Sequence, residues 1–475
     1  MTLTIAKKEA AETLRDGRFR WVAAAVLVLL AGALATGWVH ADRLASQHAE
    51  ATDAERGVWT GQEDKNPHSA AHFGTYAFKP VTPLLAVDRG LTAYTGVALF
   101  MEGHAVQDAQ YRPAEDASAS ARLGELTAAA VLQWLVPLLV VLLTFGAFAG
   151  ERQRGTLRLL LSQGVPRRSL AAGKALGAAA PLALVLVPAA VLGVLTMALF
   201  VPPEAAAWSA PRVGLLALVY LAYFTVFVGL SLLVSALARS PRAALLVLLG
   251  FWFANGFVAP RLAAGVAEQV DPTPTPEAFY TEARAVGEAS MATWEDRAGT
   301  IAERLMREEG VDSPAELSVN VPAVNLLESE ANETEAYREI HGRLADGFEA
   351  QGRIAQVGAA VAPLLAVGPL SAALTGTDYR HHRHFADAAE VYRLDYVQTL
   401  NRDLVANAAP GDQWDGGYTV GEEVWASIPP FAYEAPGAGW ALGGHGVALG
   451  LLGLWLVGLA VAVPAAVARM PLDAR

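Results

Sequence analysis

The sequence predicts an all-α polytopic membrane protein with six transmembrane helices and two extracytoplasmic regions, the second large, acidic and mostly helical. Three observations support this fold class. Of the 475 residues, 53% are hydrophobic and only 17% are charged, which is too apolar for a soluble domain of this length. Six apolar runs are long enough to cross a bilayer. Residues 263–440 hold 29 acidic and 11 basic residues, whereas the rest of the chain is net positive.

The six predicted spans match the hydrocarbon thickness of a membrane. An α-helix rises 1.5 Å per residue, so about 20 apolar residues cross a core about 30 Å thick. The runs are 21–39, 126–149, 175–200, 213–238, 243–262 and 445–468. For the first run a cleaved signal peptide is the alternative, because Val39-His40-Ala41 resembles a cleavage site. The run is long for a signal peptide, which favours a span.

The charges between the spans predict the orientation of the chain. The segments that would lie inside are all net positive: 1–20, 150–174, 239–242 and 469–475. The segments that would lie outside, none of them net positive, are 40–125, 201–212 and 263–440. Cytoplasmic loops carry an excess of Lys and Arg, so both termini are predicted to be cytoplasmic, with 1–20 as an interfacial helix. Abundant Ala and Arg indicate a bacterial genome and hence the bacterial inner membrane.

One further apolar segment, 354–375, is long enough to span and would change the parity of the topology. It contains Pro363 and Pro369, and we expect it to be buried in, or to lie on, the outer membrane face. Its PLLAV sequence at 363–367 repeats 83–87 of the first outer region. The repeat indicates either equivalent elements at the membrane surface or a coincidence of an Ala- and Leu-rich composition.

Several functional classes are excluded or disfavoured. The chain contains no Cys, so disulfides and thiolate metal sites are impossible. It has no P-loop, HExxH or GxSxG motif, so we expect no catalytic residues, no bound cofactor and no ATP site in this chain. The acidic outer region argues against nucleic-acid binding. No charged residue lies in mid-span, which argues against ion-coupled transport.

Some polar residues within the runs and one polar cluster outside them were considered as sites. Gln133 and Asn255 are interpreted as interhelical hydrogen-bond partners rather than substrate ligands, and Tyr220 and Tyr223 are noted as polar. Ser231 and Ser235 are the other polar residues noted in the runs.

The polar cluster outside the runs lies in the second outer region. His381, His384 and Asp387 are spaced so that a helical metal site is geometrically possible. Arg380 and Arg383 alternate with them and would repel a cation. An exposed polar helix is therefore the preferred interpretation, and no metal site is predicted.

The most distinctive segment is Glu151 to Lys174, ERQRGTLRLLLSQGVPRRSLAAGK, which we term the basic element. It has six basic residues and one acid, and apolar runs flank it on both sides. Its centre, from Thr156 to Leu161, is amphipathic at helical spacing, and Gly164 and Pro166 end that helix. A short helix between two spans cannot move independently of them, so a cytoplasmic partner could act on the spans through it.

The residues of the basic element resemble the coupling segment of ABC-2 type transporter permeases. The resemblance lies in Glu151-Arg152-Gln153-Arg154-Gly155-Thr156-Leu157, Arg167-Arg168 and Gly173-Lys174. The second outer region, with Gly376-Thr377-Asp378 and Glu390-Val391-Tyr392-Arg393, looks like the DUF3526 branch of that group.

The resemblance implies a permease subunit, in a pair with a second copy or a related permease, surrounded by membrane lipids. It also implies a separate cytoplasmic ABC ATPase that uses the ATP, and it favours export. The residues it assigns to ATPase coupling are Glu151, Arg152, Arg154, Gly155, Thr156, Leu157, Arg167 and Arg168. The alternative is a non-transport membrane scaffold or an extracytoplasmic sensor built on the same spans.

Overall fold

Six helices of the computed structural model are long and apolar enough to cross a membrane, and the fold is almost entirely helical. The structure describes residues 1–104, 108–116, 126–412 and 417–471. In chain order, spans 1 to 6 are Gly17–Thr60, Ala128–Gln153, Arg167–Leu199, Pro203–Leu237, Pro241–Val270 and Gly446–Arg469. The predicted all-α fold with six spans is confirmed. A separate helix, Thr2–Arg15, precedes span 1.

The helices extend well beyond the apolar runs from which they were predicted. Span 1 has 44 residues, about 66 Å of helix, so its polar second half projects past the membrane. Span 4 begins at Pro203, ten residues before the predicted start at 213. The prediction placed 203–212 in a turn, but Pro203 suits a first helical position and the Ala-rich sequence behind it favours helix. The length of an apolar run underestimates the length of a helix when polar or small residues continue that helix.

The spans meet two differently charged ends of the molecule. The basic end comprises Thr2–Arg15, the turns around residues 154–166 and 238–240, and the end of span 6. The acidic end comprises the two outer regions. Its first region contains the helix Pro67–Phe73, the 3-10 turn Pro83–Ala86 and the antiparallel strands Thr75–Phe78 and Ala98–Met101. The short helices Thr92–Thr95 and Pro113–Asp116 complete the described part of it.

The second outer region is mostly helical, as predicted. Its longest helices are Val321–Val357 and Tyr379–Asn407, which pack against each other. The others are Pro276–Ala292, Trp294–Glu309, Leu364–Thr375, Glu422–Ser427 and Ala438–Gly443, with 3-10 turns at Pro314–Glu316 and Gly358–Ala360. A hydrophobic cluster containing Trp59, Tyr396 and Trp425 joins this region to the first outer region and to the end of span 1.

The apolar segment 354–375 does not form a helix of spanning length. The helix Val321–Val357 ends within it, and a new helix of 12 residues runs from Leu364 to Thr375. Twelve residues rise only about 18 Å, too little to cross the hydrocarbon core. Val367 and Leu370 are fully buried, and the short helix packs against spans 4 and 6. It therefore lies inside the bundle at the acidic end, one of the two placements expected.

Candidate functional site

The basic element forms two short helices that reverse direction between spans 2 and 3. They are Ala149–Gln153, the end of span 2, and Thr156–Ser162. Gly155 and Gly164 both have φ of 79°, a left-handed conformation that residues with a side chain rarely adopt. These two glycines end the helices sharply, so Thr156–Ser162 is held between the ends of two spans.

An ion network ties the basic element to the N-terminal helix. The Nζ atom of Lys174 lies 2.8 Å from Oε1 of Glu151 and 3.0 Å from Oε1 of Glu9. Lys8 lies 3.8 Å from Glu151. Glu151 and Lys174 are each only 3% exposed, so solvent screens their attraction weakly. The network joins the end of span 2, the start of span 3 and the helix Thr2–Arg15.

Two arginines of the basic element bind the free carbonyls at the ends of other spans. Arg152 donates to the carbonyl oxygens of Ala238 and Ala236 at 2.7 and 2.6 Å, at the end of span 4. Arg167 donates to Val467 and Met470 at 2.7 and 3.0 Å, at the end of span 6. The last carbonyls of a helix lack intrahelical partners and carry partial negative charge. The basic element is therefore hydrogen-bonded to the ends of spans 4 and 6.

The predicted coupling residues divide into a buried and an exposed group. Glu151, Arg152 and Leu157 are buried, with Leu157 fully enclosed in the core between the spans. The resemblance assigns Glu151 and Arg152 to ATPase contact. In the structure both side chains are bonded within the chain, to Lys174 and to the end of span 4, and that assignment stays a prediction. Arg167 is half-buried. The exposed members are Arg154, Gly155, Thr156 and Arg168.

Close packing of two glycines brings the N-terminal helix against span 3. A Cβ atom added at Gly173 would lie 2.7 Å from Cβ of Ile5, and one added at Gly177 would lie 2.5 Å from Cβ of Glu9. Small residues four apart allow two helices to approach this closely. The glycines therefore position Glu9 for its contact with Lys174.

At the opposite end, a hydrogen-bond network joins the short helix Leu364–Thr375 to the spans. Gln133 donates to the Tyr220 hydroxyl at 3.1 Å, which lies 2.9 Å from the Ser371 hydroxyl. Ser371 in turn donates to Asp88. The sequence predicted Gln133 as an interhelical partner, which its hydrogen bond to Tyr220 confirms, but predicted no carboxylate beside it. Asp88 belongs to the first outer region and directly follows the PLLAV sequence at 83–87. No local sequence pattern predicts its contact with Ser371.

Spans 2 and 5 each contain one π-helical turn, and both turns take part in this network. The turns are Val131–Leu135 and Ala254–Val258, and a proline follows each of them. Pro137 has no N–H for the carbonyl of Gln133, and the Tyr223 hydroxyl donates to that carbonyl at 3.0 Å. Asn255 donates to Tyr223 and accepts from the backbone of Leu364. These contacts confirm the interhelical interpretation of Asn255.

The two PLLAV segments lie close together but adopt different structures. The first forms the 3-10 turn Pro83–Ala86, and the second opens the helix Leu364–Thr375. Thr82 donates to the carbonyl of Thr375 at 2.7 Å, and the carbonyl of Thr377 accepts from the backbone of Leu91 at 2.8 Å. The segments therefore belong to one contact between the outer regions rather than to two equivalent elements.

The three metal-site candidates of the sequence do not converge. His381 pairs with Asp378, His384 lies 3.0 Å from the Tyr433 hydroxyl, and Asp387 faces Arg383. Burial alone would raise the pKa of Asp378, but hydrogen bonds from His381 and His445 lower it below its ordinary value. His381 therefore serves a buried ion pair rather than a metal site.

Arg212 is a buried residue of span 4, although its segment, 201–212, was predicted to lie outside the membrane. It is fully buried, donates to the carbonyls of Ala373 and Leu374 at 3.0 and 3.2 Å, and stacks 3.8 Å from the Trp208 ring. It thus binds the end of the helix Leu364–Thr375. The i, i+4 spacing of Trp208 and Arg212 on a helix was the available signal.

Comparison with protein families adds to this geometry. A family model described as ABC-2 family transporter protein matches residues 3–303. The chain belongs to the ABC-2 transporter family. The match includes spans 1 to 5 and the whole basic element. A second model, the domain of unknown function DUF3526, matches residues 277–434 and thus most of the second outer region. A search of curated proteins found no match.

Membership of the ABC-2 family agrees with the multi-pass helical structure. Members of the family are normally the membrane component of an ABC transporter, without an ATPase site of their own, and their general partner is a cytoplasmic ABC ATPase. The chain is thus a multi-pass membrane protein of this transporter class.

Proposed function

We propose that this chain is the permease subunit of an ATP-driven ABC-2 exporter and that its basic element receives motion from a separate cytoplasmic ATPase. The proposal rests on one observation: the basic element has an exposed face and a buried face. Arg154, Thr156 and Arg168 are exposed. Behind them, Glu151 and Arg152 are buried and contact the N-terminal helix and the end of span 4.

The mechanism follows from these contacts. ATP-driven closure of the ATPase pushes on Thr156–Ser162, which is too short and too tightly joined to move alone. Arg152 and Arg167 transmit the displacement to the ends of spans 4 and 6, while the network around Lys174 carries the N-terminal helix with it. The chain performs no chemistry. It changes the arrangement of its spans, and two permeases, either two copies or a related pair, open a route between them.

This proposal also assigns sidedness. The basic end, with both chain termini, faces the cytoplasm, and the acidic end lies outside the bacterial inner membrane. The excess of Lys and Arg at the basic end supports this orientation. The lipid-facing surface is apolar: Leu184, Leu192 and Leu199 of span 3 are all at least half exposed.

The proposal is tested by reversing charge on the exposed face. The double variant Arg154→Glu/Arg168→Glu is compared with Arg239→Glu/Arg242→Glu, which changes the same charge on exposed arginines of the neighbouring turn. The readouts are co-purification with a co-expressed cytoplasmic ABC ATPase and stimulation of its ATP hydrolysis. We expect the first variant to lose both and the control to keep both. Equal retention by the two variants would contradict the proposal.

The scaffold or sensor alternative makes a different prediction for the same preparation. A scaffold would bind its partners without changing the rate of ATP hydrolysis. If the reconstituted permease binds the ATPase but does not change its rate of ATP hydrolysis, the result favours that alternative.

A further inference from the structure

Three histidines lie close together where the two outer regions meet. None of them takes part in the contacts described above. His68 and His72 are one turn apart on the helix Pro67–Phe73, and His104 follows the strand Ala98–Met101. Their ring centroids form a nearly equilateral triangle with sides of 4.8, 5.0 and 5.0 Å. One nitrogen from each ring lies within 4.8 Å of the other two. Three imidazoles in this arrangement are a common ligand set for a divalent transition metal ion.

The contacts around the cluster indicate which nitrogens carry protons. The Oδ1 atom of Asn401 lies 3.1 Å from Nδ1 of His68, and an amide oxygen only accepts, so that Nδ1 carries a proton. A carboxylate oxygen of Glu330 lies 3.0 Å from Nδ1 of His104 without hydrogen-bond geometry, and its negative charge favours the proton on that nitrogen rather than on Nε2. In the neutral rings both Nε2 atoms therefore carry lone pairs. Asn401 and Glu330 occupy the positions of the outer hydrogen-bond partners that orient metal-binding histidines.

The two Nε2 atoms of His68 and His104 face each other at 3.1 Å. Lone pairs at that distance repel unless a cation lies between them. Two ligands of a tetrahedral zinc ion, each about 2.05 Å from the metal, are about 3.3 Å apart, close to the observed separation. A proton shared between His68 and His104 would satisfy only their two nitrogens. A metal ion needs at least a third ligand, and the imidazole of His72 lies at the same place.

The surrounding structure fixes two rings and leaves the third adjustable. Glu330 is fully buried, accepts from the backbone of His104 at 2.9 Å and is held by Arg393 at 2.6 Å. Gly103 donates to the carbonyl of Ala71 at 3.0 Å, which holds the turn of His104 against the helix. His104 itself has a φ of 66°, a strained conformation that tends to occur at functional sites. His72 is exposed, so rotation of its side chain shortens the longest nitrogen separation.

We propose that His68, His72 and His104 bind one divalent transition metal ion, with Zn²⁺ as the reference ion, at the junction of the two outer regions. The ligands come from the first outer region and their orienting partners from two helices of the second. Metal binding would therefore fasten the regions to each other. The exposed side of His72 gives the ion access and leaves a coordination position for water. This inference does not depend on the proposed coupling to an ATPase.

The test is a calorimetric titration of the full chain, purified in detergent without a polyhistidine tag, with ZnCl₂. His72→Ala is the main variant, because His72 is exposed and its loss leaves the fold intact. His384→Ala is the matched control, an outer-region histidine from the site that the sequence suggested. We expect one Zn²⁺ per chain for wild type and control, and an affinity about 100-fold weaker or more for His72→Ala, at least the loss seen when an orienting partner is removed.

A second measurement distinguishes ordered binding from loose attachment. Co²⁺ bound by wild type and by His384→Ala should show the visible absorption of tetrahedral coordination, and His72→Ala should not. Zn²⁺ should also raise the unfolding temperature of wild type but not of His72→Ala, since a ligand stabilises the state that binds it. Absence of saturable Zn²⁺ binding to wild type, or equal binding by His72→Ala, would overturn the inference and leave a shared proton as the occupant.

Discussion

The two ends of the molecule both contain buried charges, but the charges join different parts of the chain. At the acidic end, Arg393 is 2% exposed and contacts Glu330 and Glu390 at 2.6 and 2.8 Å, so the ions join one outer element to another. At the basic end, Lys174 and Glu151 join helices that continue through the membrane. Exposed arginines lie directly beside them. Around Arg393 the ions thus hold the outer elements to one another, whereas the ions of the basic end lie beside an exposed surface and hold the ends of the spans.

The largest stability effect is expected from Arg393→Ala. The substitution leaves the fully buried Glu330 and the partly buried Glu390 without their cation, and removing one partner of a buried pair costs about 3–5 kcal/mol. The measurement is the thermal unfolding midpoint together with protease resistance of the outer regions. Arg402→Ala, at an exposed site on the same helix, should leave both unchanged. A small effect of Arg393→Ala would show that the acidic end is not held by this pair.

Lys174→Met should act at the basic end with a somewhat smaller loss of stability. It leaves Glu151 and Glu9 with only the more exposed Lys8, at 3.8 and 3.3 Å. Because Glu9 is also partly accessible to water, we expect a loss of about 3 kcal/mol. The protein should lose stimulation of the ATPase while its outer regions stay protease-resistant. Loss of protease resistance at the acidic end would contradict the separation of the two ends.

Gly177→Ala should displace the N-terminal helix by steric overlap. Its new methyl group would lie 2.5 Å from Cβ of Glu9, and overpacking of this kind typically costs about 1–3 kcal/mol. Gly193→Ala on the same span has open space around it and is the control. The lower unfolding temperature should be accompanied by cleavage of the N-terminal helix at low protease concentration. Identical behaviour of the two variants would show that the close contact is not important.

Arg168→Glu should have the smallest effect on stability and a clear effect on function. Its side chain is exposed, and substitutions at such sites usually change stability by less than about 0.5 kcal/mol. Its unfolding midpoint should match wild type, while its affinity for the ATPase decreases. A marked loss of stability instead would assign Arg168 to the structure of the basic end.

The spans could be predicted because their signal is local. Apolar length identified all six, and Gly164 with Pro166 predicted where the short helix ends. Helix ends beyond the apolar runs were missed, since a polar helix such as the second half of span 1 depends on tertiary packing for its stability. Within the coupling residues, sequence could not distinguish Glu151 and Arg152 from Arg154, because burial depends on neighbours distant in the chain.

Contacts between the outer regions were the least predictable feature. Asp88 reaches Ser371, and His104 reaches Glu330, across more than 200 residues. The spacing of His68 and His72, four residues apart, is a usable helical signal. The position of His104 in the sequence gives no signal that it lies beside them. The denser His cluster at 381–384 is the more prominent pattern, although two of its members contact Asp378 and Tyr433.

The central claim, that ATP moves the basic end while the acidic end stays closed, is tested most directly by spin-label distances. The chain has no native Cys, so Gln163→Cys/Arg402→Cys reports between the ends and Glu288→Cys/Arg402→Cys reports within the acidic end, all at exposed sites. With the ATPase bound and trapped by ATP and vanadate, the first distance should shift and the second should not. An unchanged first distance, or an equal shift in the second, would contradict the account.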